Sequence, residues 1–140
     1  MDKTKYLLQP YFQRVDKPWG YEMVITPTSG PVTGKLAFTK AGHRWSLQYH
    51  EGKTEIICLV EGEAILTLED KQGELKEIPM EQFKGYLVKP GQKHRFSAKT
   101  NCLTMETSTP ESASKTVRVA DDYNRGNESE KERKELRKNG

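Results

Sequence analysis

Between Trp19 and Ser108 the chain is a succession of short apolar or alternating runs, broken by glycine, proline and charged turns. The runs are Tyr21–Ile25, Lys35–Thr39, Trp45–Tyr49, Ile56–Val60, Ala64–Glu69, Leu75–Ile78, Gly85–Val88, Arg95–Ala98 and Leu103–Thr107. Each has the length of a strand, and several are rich in β-branched or aromatic residues. Glycines fall between them or at their ends, among them Gly42, Gly52, Gly62, Gly73 and Gly91. Short strands at such regular spacing predict an all-β antiparallel sandwich or barrel and argue against alternating strands and helices. Ala64–Glu69, the pentapeptide DKQGE and Leu75–Ile78 read as a hairpin with a glycine-containing turn.

The two ends of the chain read differently. Met1 to about Asp16 shows no strong period and is expected to pack loosely. After Pro110 come a polar loop, ESASK, and one more candidate strand at Thr116–Val119. The tail NESEKERKELRKNG, from Asn127, has good helix formers and i,i+4 charge pairs such as Glu130–Lys134. Its single apolar residue, Leu136, cannot bury a face, so a solvated tail is expected. The expected organisation is an extension over 1–16, one barrel over 17–125 and a charged tail over 126–140.

Composition narrows the location of the core. A chain of 140 residues, 34% hydrophobic and 31% charged, suits one domain whose core is drawn from roughly positions 17 to 108. No stretch approaches the ~20 apolar residues that span a bilayer. MDKTKYLLQPYF lacks the apolar core and small-residue cleavage site of a secretory signal, so a cytoplasmic protein is expected. Cys58 and Cys102 are too few for a disulfide framework or a four-cysteine zinc site, and read as reduced thiols. Much of the net charge of +3 lies in KERKELRKNG, and no basic stripe interleaved with aromatics marks a nucleic-acid surface. The scattered Lys and Arg of the body suit anionic small molecules such as sugar phosphates. Neither a nucleic acid nor a membrane is an expected partner.

Four residues carry metal-ligand chemistry in an informative pattern. Gln48 and His50 are two apart in one predicted strand, so their side chains share a face. Glu55 follows a short glycine-containing turn, and His94 ends the turn PGQKH that opens another strand. An antiparallel barrel can gather all four at one mouth. Imidazole, carboxylate and amide oxygen suit one divalent ion, zinc first, with manganese, cobalt, nickel or iron also compatible.

The surrounding residues carry a resemblance. Gly42 to Gly62, GHRWSLQYHEGKTEIICLVEG, resembles the first cupin motif, with Gln48 in place of its first histidine. Gly85 to His94, GYLVKPGQKH, resembles the second. The resemblance implies a single-domain cupin, a double-stranded β-helix or jelly-roll barrel, with Gln48, His50, Glu55 and His94 as metal ligands. Within the cupins, SLQYH is similar to the ligand segment of type II phosphomannose isomerases, which hold their metal with Gln, His, Glu and His. KPWGYE, the strand from Gly34 to Gly42 and VRVADDYNR at 117–125 resemble that family's other segments, in the same order. The family reads R-x-E-H-W where this chain has Lys53-Thr54-Glu55-Ile56-Ile57, so Lys53 keeps the charge but not the planar fork of arginine. Asn124 stands where the family has glycine.

The resemblance implies an enzyme, a mannose-6-phosphate isomerase-like isomerase interconverting mannose 6-phosphate and fructose 6-phosphate. Lys53 and Glu55 are the candidate catalytic residues, with Lys53 or a metal-bound hydroxide as the base and Glu55 largely committed to the metal. Lys35, Arg118 and Arg125 are the candidates for holding phosphate, with Arg44 a further cation in these segments. Another small-molecule metal cupin enzyme (a dioxygenase, epimerase or lyase) and a non-catalytic sugar-binding cupin are the alternatives. By analogy of fold, the expected assembly is a homodimer.

Overall fold

The computed structural model describes residues 1–110 and 115–126. Among these there are strands and turns but no helix. In chain order the strands are β1 (Gln13–Lys17), β2 (Gly20–Val24), β3 (Thr33–Thr39), β4 (Leu47–Glu51), β5 (Glu55–Glu61) and β6 (Ala64–Glu69). They continue as β7 (Leu75–Pro79), β8 (Gly85–Val88), β9 (His94–Ala98), β10 (Cys102–Ser108) and β11 (Lys115–Ala120). Six form one sheet in the order β1-β2-β3-β10-β5-β8, and five form another in the order β11-β4-β9-β6-β7. Every pairing between strands is antiparallel. The hairpin joins β6 to β7, its turn held by backbone N–H donation from Gln72 and Glu74 to Asp70 Oδ1. Gly73 there adopts φ +81°, a conformation open to glycine.

The core lies between the sheets. Ala37, Ile57 and Leu59 from the larger one meet Leu66, Phe96 and Ala98 from the smaller one. Trp45 is in contact with both Trp19 and Phe96, with ring centroids 5.4 and 4.8 Å away. Its indole N–H donates to Thr39 Oγ1 at 3.0 Å, where Thr39 is fully buried. Thr39→Val keeps the shape and strands that N–H. The expected cost is about 1–3 kcal/mol in urea unfolding, and an unchanged midpoint would show the bond to be dispensable.

Two elements depart from the sequence reading. Residues 13–17 form a strand, although the alternation Gln-Arg-Val-Asp-Lys offers one apolar residue. Val15 is buried, while Arg14 faces outward with its guanidinium 4.0 Å from the Tyr21 ring centroid. Strand β4 starts at Leu47, so Trp45 and Ser46 precede it, although both are buried and the Trp45 N–H bonds to Phe96 O. The loop at 111–114 and the charged tail from 127 onward lie outside the described residues. Among those described, no helix is long and apolar enough to cross a membrane.

Candidate metal centre

The local fold brings the four candidate ligands toward one another between the sheets. Gln48 and His50 project from one face of β4, and Gln48 pairs directly with His94 on β9. Glu55 opens β5, whose inward positions Glu55, Ile57 and Leu59 are buried while Ile56 is exposed. Gly91, at φ +80° in the turn before His94, donates its N–H to His50 O and ties that turn to β4.

His50, Glu55 and His94 present ligating atoms that all lie within 4.8 Å of one another. Glu55 Oε1 is 2.9 Å from His94 Nε2 and 3.4 Å from His50 Nε2. Despite the short distance, Glu55 Oε1 and His94 Nε2 are buried without a hydrogen-bond partner. At 2.9 Å the two atoms are close enough to bind one ion together. The far ring nitrogens are oriented as ligating imidazoles require. His94 Nδ1 donates to Gln92 O at 3.0 Å, which leaves the Nε2 lone pair facing Glu55. His50 Nδ1 is 2.9 Å from Thr116 Oγ1.

The electrostatics suit a cation. Burial, reinforced by the Lys53 charge, lowers the His50 pKa to about 4, so the ring is neutral at physiological pH. Burial alone would raise Glu55, but Lys53 and the two imidazoles hold its carboxyl well below the usual range. A buried anion between two imidazole lone pairs fits a divalent ion, zinc and its neighbours included. Gln48 borders this group. Its Oε1 accepts from Ser46 Oγ at 2.7 Å, and Nε2 faces His50 Nε2 at 3.5 Å. Rotation of the amide would turn its oxygen toward the imidazole, with Ser46 then accepting from Nε2.

A small cleft of about 50 Å³, open to solvent at its mouth, leads to this cluster. Gln48, His50, Lys53, Glu55, Lys35, Arg118 and Arg125 line it, whereas fully buried His94 lies behind its surface. Five cations, Lys17, Lys35, Lys53, Arg118 and Arg125, outnumber the three carboxylates, Glu22, Glu55 and Glu106. Lys53 Nζ is 3.3 Å from Glu55 Oε2. Lys35 lies between Glu22, at 3.0 Å, and Glu106, at 3.4 Å, which makes it a poorer anion anchor than the sequence suggests. Arg118 donates to Gly126 O, and Arg125 makes a bidentate pair with Asp121. Arg44 instead pairs with Asp122 and does not line the cleft.

Glu22 and Glu106 are the residues that sequence reasoning missed. Glu106 is almost wholly buried, and burial raises its pKa to about 7 against the pull of Lys35. The available signal was parity. Thr104 and Glu106 alternate with Leu103 and Met105, and the polar set faces inward. Asn124 adopts φ 57°, a left-handed geometry that asparagine tolerates.

No family model matches the sequence, and no curated protein matches it either. Solved structures do resemble it. CapF of Staphylococcus aureus, a capsular polysaccharide assembling protein, is 13% identical over 85% of this chain and 34% of its own, with a TM-score of 0.62. KdgF of Halomonas sp. is 16% identical over 71% of this chain and 87% of its own, at 0.60. Oxalate decarboxylase of Bacillus subtilis is 17% identical over 77% of this chain and 30% of its own, at 0.65. This chain therefore spans about a third of CapF and of the decarboxylase. An assembling protein and a decarboxylase on one scaffold do not select a reaction. What the likenesses and the two facing antiparallel sheets establish is the architecture, and this chain has the cupin fold.

Proposed function

We propose that this protein is a metal-dependent sugar-phosphate isomerase that interconverts mannose 6-phosphate and fructose 6-phosphate. The observation that carries the reading is the convergence of His50, Glu55 and His94 at the end of a cleft whose cations outnumber its carboxylates. A divalent ion held by these residues, with Gln48, would supply Lewis-acid polarisation of the sugar carbonyl.

The chain's own residues have separable tasks. Glu55 keeps one oxygen toward the imidazoles and the other toward Lys53. Lys53, beside the ligand carboxylate and on the cleft wall, is the group we assign to the proton transfer: as the neutral amine it takes the proton from C2, and as the resulting ammonium it returns it to C1. Arg118 and Arg125, on the same wall, are the favoured phosphate contacts. The departure at position 56 does not weaken this reading. Ile56 is 43% exposed on the outer face of β5, so its side chain points away from the ligands.

The test is NMR of metal-loaded protein with mannose 6-phosphate in heavy water. Fructose 6-phosphate should form, with deuterium entering C2 of the recovered substrate. Neither product nor exchange, with any of zinc, manganese, cobalt, nickel or iron(II), would end the isomerase reading.

A further inference from the structure

Interconversion of an aldose and a ketose through an enediol moves two protons. The hydrogen on C2 goes to C1, and the hydrogen of the C2 hydroxyl goes to the C1 oxygen. Lys53 carries the first. The second calls for a group that can give a proton to one sugar oxygen and take one from the other.

Glu106 has the position and the surroundings for this task. It lies on β10, flanked in register by Lys35 on β3 and Ile57 on β5. Glu55 and Ile57 are successive inward positions of β5, so Glu55 and Glu106 project from neighbouring strands into the same interior. Both carboxylates line the cleft, as does Lys53. At 5% exposure Glu106 is shielded from bulk water. Its cation is shared, because Lys35 Nζ is 3.4 Å from Glu106 and 3.0 Å from Glu22. Glu22 also has Lys17 at 3.7 Å, so of these two carboxylates Glu106 is the less compensated. Burial, with the charges of Glu55 and Glu22, raises its pKa to about 7 against the pull of Lys35 and Lys53. Acid and carboxylate forms are then both populated near neutrality, as a proton carrier requires.

We propose that Glu106 is a second catalytic residue, carrying the hydroxyl proton between O2 and O1 of the sugar while Lys53 carries the carbon-bound one. The assignment rests on the isomerase reading above. As the Lys53 amine takes the proton from C2, the C–H electron pair forms the C1=C2 bond. The carbonyl π pair moves to O1, which takes the proton of the Glu106 carboxylic acid. The enediol then gives its O2 proton to the Glu106 carboxylate as the C2 carbonyl forms. The C1=C2 pair takes the proton of the Lys53 ammonium at C1. Both residues end in the state in which they began, and no oxidant or reductant is consumed.

The test compares metal-loaded wild type and Glu106→Gln on mannose 6-phosphate in heavy water. NMR reads the fructose 6-phosphate formed and the deuterium at C2 of recovered mannose 6-phosphate. Glutamine keeps the shape of the side chain but cannot carry the proton. Fructose 6-phosphate formation should fall by about 100-fold or more, the usual contribution of a positioned acid–base group. Exchange at C2 should fall by less than about tenfold, because return of a proton to C2 needs no transfer between the oxygens. The ratio of exchange to isomerisation therefore rises, which loss of packing or of a charge partner for Lys35 would not produce. Glu106→Asp, with its carboxyl one methylene shorter, should give an intermediate ratio. The wild-type ratio in both variants, with the wild type active, overturns the assignment and leaves the isomerase reading standing. A wild type that neither isomerises nor exchanges ends that reading, and the assignment with it.

Discussion

Replacing His94 with alanine should leave the protein folded but without metal. The imidazole is fully buried, its Nδ1–H is committed to Gln92 O, and its Nε2 shares the space around Glu55 Oε1. Elemental analysis after dialysis against metal should find about one ion per wild-type chain and none on His94→Ala or His50→Ala. Thr116→Val keeps both ligands but removes the hydroxyl that orients His50, and should weaken binding by about 10–100-fold. Alanine at His94 removes a ligand outright and should cost more than Thr116→Val. Gln48→Ala should also lose the ion if the amide turns its oxygen inward. Full metal stoichiometry on His94→Ala would refute the centre.

The reach of the sequence reading followed from how much each residue type reveals by position. Gln48 and His50 share a face because alternation in a strand leaves no other choice, and Glu55 and His94 open β5 and β9. Glycine and proline marked turns whose backbone needs them, as at Gly73 and Gly91. What stayed hidden was polar residues facing inward. Lys17, Glu22 and Glu106 join Lys35 in a chain of ion pairs on the cleft wall, yet in the sequence those three look like an outer face. Outward Leu103 and Met105 likewise look like core, because hydropathy reports which positions alternate and not which set faces the partner sheet. Strand β1 escaped for a related reason. It contributes one buried apolar residue, Val15, and gains the rest of its order from pairing with β2.

Lys53→Met should separate the support of the metal centre from its chemistry. Lys53 and Glu55 are 3% and 2% exposed, and the ammonium is 3.3 Å from Glu55 Oε2. Methionine keeps much of the stem's packing but takes the positive charge from a carboxylate that remains buried. Breaking a buried pair from one side costs about 3–5 kcal/mol, and the metal-free variant should lose stability of that order in urea unfolding. The pH dependence has a definite sign. Because Glu55 is held below its ordinary value of 4.5, its pairing stabilises the fold above that pH, and this contribution disappears as the pH falls. Metal-free Lys53→Met should show a smaller acid loss, since the Lys53 charge is the main influence lowering Glu55. A divalent ion places new positive charge against the same carboxylate, so saturating metal should restore most of the variant's stability. If Lys53 also moves the proton, metal-loaded Lys53→Met will be folded and metal-replete, yet unable to exchange deuterium into mannose 6-phosphate. Metal-free Lys53→Met as stable as wild type would show that the pair contributes nothing. Restored stability with undiminished exchange would confine Lys53 to holding Glu55 in place.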